Sequence, residues 1–386
     1  MRRPGQAVAA DASTAATNPA SIGQLGRYRL RKSLGVGGQA EVFKADYSAP
    51  GGFERTVVIK KILPANCADP EFVRMFAAEA RILGMLHHPN VVQAYDVGES
   101  DGTLFLVLEY VDGPSFGRLL RALQIAGRPL PLAIAAYFAH ELCRALDYVH
   151  GLRNSDGQLL NVIHRDVTPS NVVLTSTGSL KLLDFGIAKY DSSDVHTRQQ
   201  IVKGKPGYLA PEAIEGLPFD GRADIFAVGV ILHEMLTLTP LFRADHELAV
   251  LHKVLEMPIA PPSEARAEIP AALDAIVMRA LERDPARRYA SAAQMARDLD
   301  EFVVGAKLRV EDVVHFLRKV EPLLNRPRRP VAAAAATPTP SSAIELAARP
   351  MKPNLMTRLR QGRLGRLLFG SARPQAVAAP ASAASS

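Results

Sequence analysis

"HRDVTPSN", residues 164–171, lies between the apolar runs "NVI" and "VVL". It places a carboxylate, Asp166, five residues before a side-chain amide, Asn171. Both residue types favour turns for the sake of their own backbone hydrogen bonds, so the pair alone is compatible with an ordinary turn. A loop that handled an anionic group would profit from a cation near Thr168, and none stands there. Its meaning depends on what surrounds it.

Around it the chain is mainly helical. "LPLAIAAYFAHELCRALDYVH" precedes it as one long apolar helix, and the short strand "SLKLLDF" follows. "RADIFAVGVILHEMLTL" is apolar enough to be expected as a central core helix. "IPAALDAIVMRALERD" and "SAAQMARDLDEFV" read as amphipathic helices, and "VEDVVHFLRKVEPLL" puts Val313, Val314, Leu317 and Val320 on one face. Towards the N-terminus the pattern changes to strands: "YRLRKSLG", "AEVFKADYS", "RTVVIKKIL", "VVQAYDVGES" and "TLFLVLEYV". Among them "DPEFVRMFAAEARILGMLHH" has helical spacing through Phe72, Met75, Phe76, Ala80, Leu83 and Leu86, after an Asp-Pro start. The class is α+β: a small β-rich lobe with one helix, then a larger, mainly helical lobe. A cleft between unlike lobes is where a ligand is expected.

Composition sets limits. The chain has 386 residues, 48% hydrophobic and 22% charged, as in ordinary soluble proteins. Two cysteines, Cys67 and Cys143, cannot form a disulfide framework, so a reducing, cytoplasmic location is expected. The N-terminus has no apolar run of a signal peptide, and no stretch is long and apolar enough to span a membrane. Residues 1–25 are rich in Ala, Ser and Thr and read as a disordered tail. From Leu324 to the end there are ten Lys/Arg and one acid, a net +9, so the first 323 residues carry −2 of the total +7. The basic character belongs to a tail, and no nucleic-acid partner is expected.

Three features of the first lobe fit one device. "LGVGGQAEV", Leu34 to Val42, is a glycine-rich turn between strands, and bare glycine backbone lets N–H groups approach phosphates. The next strand carries Lys60 in "VVIK", and the helix carries Glu79. Alone, each has an ordinary reading as a hairpin, an edge lysine and a solvated glutamate. Together, the loop would cover phosphates, the lysine would hold them and the glutamate would orient the lysine.

The order "GVGGQAEV", "VVIK", Glu79, "HRDVTPSN", "DFG", "APE" resembles that of eukaryotic-like serine/threonine protein kinases of bacteria, over about residues 28–303. The resemblance implies a two-lobed fold, with lobes of about 28–110 and 112–303, and transfer of the ATP γ-phosphoryl group to Ser/Thr hydroxyls of protein substrates. It implies that Leu34, Gly35, Val36, Gly37, Gly38, Gln39, Ala40, Glu41 and Val42 cover the phosphates. Lys60 would hold them with Glu79 as its partner, Leu108 would be the gatekeeper, and the backbones of Glu109 and Val111 would meet the adenine. Asp166 would be the catalytic base, and Asn171 and Asp184 the Mg²⁺ ligands. Glu212 and Arg288 resemble a scaffold ion pair, and Asp224 a brace of the catalytic loop.

The chain departs from the family at three positions. Ala40 replaces the third glycine of the loop. Thr168 stands where the family usually has a lysine, and Lys205 of "GKPGY" where it usually has a threonine. The exchange is matched, so Lys205 is read as a relocated cation serving the reaction. The rival reading is a pseudokinase, a nucleotide-binding or scaffold module without transfer. Arg165 would meet a phosphate on the activation segment, with Thr197 the first choice over Ser192 and Ser193. A further amphipathic helix is expected over 304–324 and a low-complexity tail over 325–386. Within it, residues 349–373 hold seven cations interleaved with apolar residues. They read as a solvated basic tail or as a segment that binds an anionic membrane or an acidic partner.

Overall fold

The computed structural model describes residues 22–185 and 205–325, apart from Gln39, Pro50 and Ala68. The chain divides into two compact units. The first runs to Leu86 and resumes at Val92–Tyr110; the second comprises His87–Val91 and the chain from Val111 onward.

The first unit is built on a six-stranded antiparallel sheet. Its strands are β1 (Gly23–Leu25), β2 (Tyr28–Val36), β3 (Ala40–Ala49), β4 (Phe53–Ile62), β5 (Ala94–Ser100) and β6 (Thr103–Glu109), in the order β1-β2-β3-β4-β6-β5. Side chains alternate across a strand. Val57 and Ile59 of β4 therefore join Tyr28, Leu30, Phe43 and Phe105 in one apolar cluster, and Lys60 is carried on the other face. The expected N-terminal tail is corrected at its end: Gly23 pairs with Leu30 and Leu25 with Tyr28, burying Leu25. The Ala/Ser-rich composition of the preceding residues masks this one apolar anchor.

Among the described residues this unit carries the expected helix as α2 (Pro70–Met85), preceded by the single turn α1 (Pro64–Cys67). Asp69 caps α2, accepting from the backbone N–H of Glu71 at 2.9 Å. Pro70 occupies the first turn, where a missing N–H costs nothing. The buried face of α2 carries Phe72, Phe76, Ala80 and Leu83, and with them Glu79.

The second unit holds α3 (Phe116–Ala126), α4 (Leu132–His150), the hairpin β7 (Val172–Leu174) and β8 (Leu180–Leu182), α5 (Pro211–Ile214), α6 (Arg222–Thr237), α7 (Glu247–Glu256), α8 (Pro262–Ala265), α9 (Ala271–Ala280), α10 (Ala292–Gly305) and α11 (Val310–Leu324). Every residue of α6 from Ala223 to Leu236 is buried, which explains its unbroken apolar sequence. Both α4 and α9 pack on it. The C-terminal α11 buries Val313 and Val320 and packs on α3. Its Val310 and Val314 also lie over Gly178 in the β7–β8 turn, where φ is +84° and a Cβ would come within 3.0 Å of Val314. His87–Val91 precedes the expected lobe boundary yet belongs here. Leu182 donates its N–H to the Asn90 carbonyl at 2.8 Å, and the Asn90 amide donates to Glu141 at 2.9 Å.

Candidate active site

In the second unit the site is organised by Asp224, in the first turn of α6. Its Oδ2 accepts from the backbone N–H of His164 at 2.8 Å and its Oδ1 from that of Arg165 at 2.9 Å. His150 Nε2 lies 2.8 Å from Oδ2. Burial pushes the Asp224 carboxyl pKa up, but the His150 hydrogen bond and the neighbouring imidazoles outweigh it and hold it below the ordinary range. Arg165 has φ +66°, a left-handed conformation that costs a side-chain-bearing residue about 1–2 kcal/mol. Here two successive amides meet one carboxylate, and such charge-assisted bonds offset the strain.

His164 is fully buried, and burial lowers its pKa. Its Nδ1 accepts from the Asp166 N–H at 3.3 Å and its Nε2 donates to the Leu183 carbonyl at 3.0 Å. It is a neutral imidazole with its proton on Nε2, joining the loop to the residue before Asp184. The side-chain nitrogen of Asn171 donates to both the carbonyl and Oδ2 of Asp166, each at 2.9 Å. Leu183 in turn donates to the Asn171 carbonyl at 2.7 Å. The structure thus gathers Asp166, Asn171 and the approach to Asp184 around one loop. With its nitrogen committed to Asp166, Asn171 offers its oxygen. Together with the Asp184 carboxylate this is a hard donor set of the kind Mg²⁺ takes.

Lys205 reaches the same loop. Its Nζ donates to Ser170 Oγ, and Ser170 Oγ lies 3.0 Å from Oγ1 of the buried Thr168. Sequence reasoning named Thr168 and Lys205 but missed Ser170, the hydroxyl between them. Its one signal was its place next to Asn171. Elsewhere in this unit, Glu212 and Arg288 form a buried bidentate pair at 2.6 and 2.7 Å.

In the first unit, Lys60 Nζ lies 2.8 Å from Glu79 Oε1. Lys60 stands in register between Val42 and Leu106. Val42 and Glu41 close the glycine hairpin opposite Gly35 and Val36, and the Gly37 N–H donates to the Ala40 carbonyl at 2.9 Å. Leu34 and Val36 are exposed. The hairpin itself does not require its glycines. Gly35, Gly37 and Gly38 all avoid positive φ, and an added Cβ would meet nothing closer than 3.5 Å. Bare backbone there leaves room for close approach from outside. Ala40, in place of the third glycine, is buried as the first residue of β3, so its methyl packs inward. The Glu109 N–H is taken by the Gln93 carbonyl at 2.8 Å, and Val111 opens the second unit. Gln39, Ser192, Ser193, Thr197 and residues 349–373 lie outside the described residues.

Residues 28–299 match the family model described as "Protein kinase domain". The chain is 43% identical over 281 residues to the protein named tyrosine-protein kinase MasK of Myxococcus xanthus, covering 72% of this chain and 43% of that protein. It is 37% identical over 280 residues to serine/threonine-protein kinase PknB of Mycobacterium leprae, covering 71% and 42%. It therefore spans about two fifths of the length of these curated relatives. The crystal structure of the PknI kinase domain of Mycobacterium tuberculosis is similar with a TM-score of 0.55 and 30% identity, over 74% of this chain and 99% of that one.

Proposed function

The chain belongs to the protein kinase family, and on that premise we propose that it transfers the γ-phosphoryl group of ATP to serine and threonine hydroxyls of protein substrates, with Mg²⁺. In this reaction the bond from the γ-phosphorus to the ADP oxygen breaks and a bond to the substrate hydroxyl oxygen forms. The hydroxyl proton passes to an Asp166 carboxylate oxygen, and ADP leaves. Asn171 fixes the orientation of that carboxylate, and Asp224 holds the backbone on which it stands. Lys60, held by Glu79, supplies the charge for the nucleotide phosphates. The glycine hairpin supplies backbone amides for the same phosphates, and the Glu109 and Val111 backbones meet the base. Mg²⁺, when bound at Asn171 and Asp184, neutralises phosphate charge. Lys205 adds a cation at the loop that lacks one at Thr168.

The hydrogen bond from the Asn171 side-chain nitrogen to the Asp166 carboxylate, with a second from the same nitrogen to the Asp166 carbonyl, carries this reading, because an ordinary turn has no need to fix the orientation of a carboxylate. The test is incubation of the purified chain with γ-labelled ATP and a generic protein substrate, with Asp166→Asn as control, followed by phosphoamino-acid analysis. Label in phosphoserine and phosphothreonine supports the proposal. Label confined to phosphotyrosine supports a second reading, favoured by the name of the Myxococcus xanthus relative. Nucleotide binding without transfer would make the chain a pseudokinase. A cytoplasmic location, and attachment to an anionic membrane or an acidic partner through residues 349–373, complete the proposal on composition alone.

A further inference from the structure

Beside the loop that carries Asp166 the second unit has an open cavity of about 460 Å³. Its walls include Pro169 of the loop, Arg121 on α3, Tyr208, Glu234 on α6 and Arg243. Resting on the kinase reading above, we propose that this cavity receives an acidic side chain of the protein substrate, so that the chain prefers acceptor sites with a carboxylate nearby.

Charge decides the sign of the ligand. Arg121 and Arg243 are both exposed, and neither forms an ion pair among the described residues. Lys205 stands on Ser170, next to Pro169, and its field reaches Glu234. Glu234 is the one acidic residue of the lining, and it is engaged. Its Oε2 accepts from the Tyr208 hydroxyl at 2.8 Å and its Oε1 from the Leu241 N–H at 3.2 Å. Burial pushes its pKa up to about 7, against the Tyr208 and Leu241 hydrogen bonds and Lys205, so at neutral pH it carries only part of a negative charge. An incoming lysine or arginine would pass two guanidinium groups to reach a carboxylate whose oxygens both have donors. An incoming carboxylate meets two uncommitted guanidinium groups of planar, forked geometry.

The test uses the full chain and a set of serine peptides. Each carries one Glu, Ala or Lys at a single position within five residues of the acceptor, on either side. At one or more positions Glu should raise kcat/KM over Ala by roughly fivefold, the scale of an exposed ion pair, and high salt should erase the gain. Arg121→Ala with Arg243→Ala should abolish the preference and leave turnover of the all-Ala peptide unchanged. Arg121→Glu with Arg243→Glu should transfer it to Lys. Transfer to the all-Ala peptide with Glu no better than Ala everywhere, or with Lys preferred by the parent chain, would overturn the proposal. Absence of transfer to every peptide would instead sink the kinase reading. The cavity is then judged by fluorescence anisotropy of labelled Glu and Lys peptides, where tighter binding of the Lys peptide, or equal binding, rejects it.

Discussion

Glu79 holds Lys60 across 2.8 Å with 5% of the glutamate side chain exposed, against 17% of the lysine's. The lysine was expected to hold phosphates, with Glu79 as the partner that orients it. It is also the counter-charge of a buried carboxylate, and that changes what its removal means.

Lys60→Met should abolish phosphoryl transfer and also lower stability by about 1–3 kcal/mol, because the buried Glu79 carboxylate loses its ion pair with the lysine. The double variant Lys60→Met with Glu79→Gln should recover most of the thermal midpoint and none of the activity. Thermal unfolding and a labelled-ATP assay on the three proteins separate the roles; full recovery of activity would remove Lys60 from the chemistry.

Asp224→Ala leaves the N–H groups of His164 and Arg165 without their shared acceptor and should cost roughly 2–5 kcal/mol. The carboxyl pKa is depressed in the folded state, so its stabilisation is complete above the ordinary carboxylate pKa of 3.8. It is lost as pH falls through the lower folded value. Denaturation at pH 7 and in acid should show the gap between parent and variant closing only at the acid end.

Lys205→Thr should reduce turnover by about 10²–10³ and leave nucleotide affinity nearly unchanged, if its ammonium serves the transition state. Ser170→Ala, which removes the hydroxyl that Lys205 holds, should cost less. In the swap Thr168→Lys with Lys205→Thr, activity should exceed that of Lys205→Thr alone, a non-additivity expected of groups sharing one task. Thr168 is buried, so the new lysine must run its stem out along the loop to place its charge. Steady-state kinetics of the four proteins decide it, and unchanged turnover in Lys205→Thr excludes a chemical role.

Glu234 should make stability fall as pH rises from about 4.5 to about 7, because the folded state holds its proton over that window and the unfolded state does not. The integrated effect is on the order of 3 kcal/mol. Glu234→Gln should flatten the slope. Urea denaturation between pH 5 and pH 8 measures it, and parallel curves for parent and variant would rule the contribution out.

Much of this was legible in the sequence because it is written locally. Asp166 and Asn171 share one loop, Asp69 and Pro70 announce α2, and the apolar run 223–236 announces a buried helix. Asp224, a charge inside such a run, was read as a brace, and its bonds to His164 and Arg165 are of that kind. What escaped depends on long-range polar partners, which leave no periodicity. Tyr208 meets Glu234 across 26 positions, and Lys205 meets Ser170 across 35. The allegiance of His87–Val91 to the second unit rests on Asn90 bonds to Glu141 and Leu180. No local pattern encodes the partner in any of these.

The buried helix α6 has a metric consequence. Asp224 near its start holds the loop that carries Asp166, and Glu234, ten residues later, lines the cavity beside Pro169. Ten helical residues span about 15 Å, and a regular helix packed on all sides neither stretches nor bends readily. An extended peptide advances about 3.3–3.6 Å per residue, so the same interval corresponds to roughly four residues of an extended peptide. A shift of one residue would misplace a side chain by more than the length of a hydrogen bond. On the proposed reading of the cavity, the helix is therefore a gauge: it would convert spacing along a substrate into a fit or a miss, in whole-residue steps.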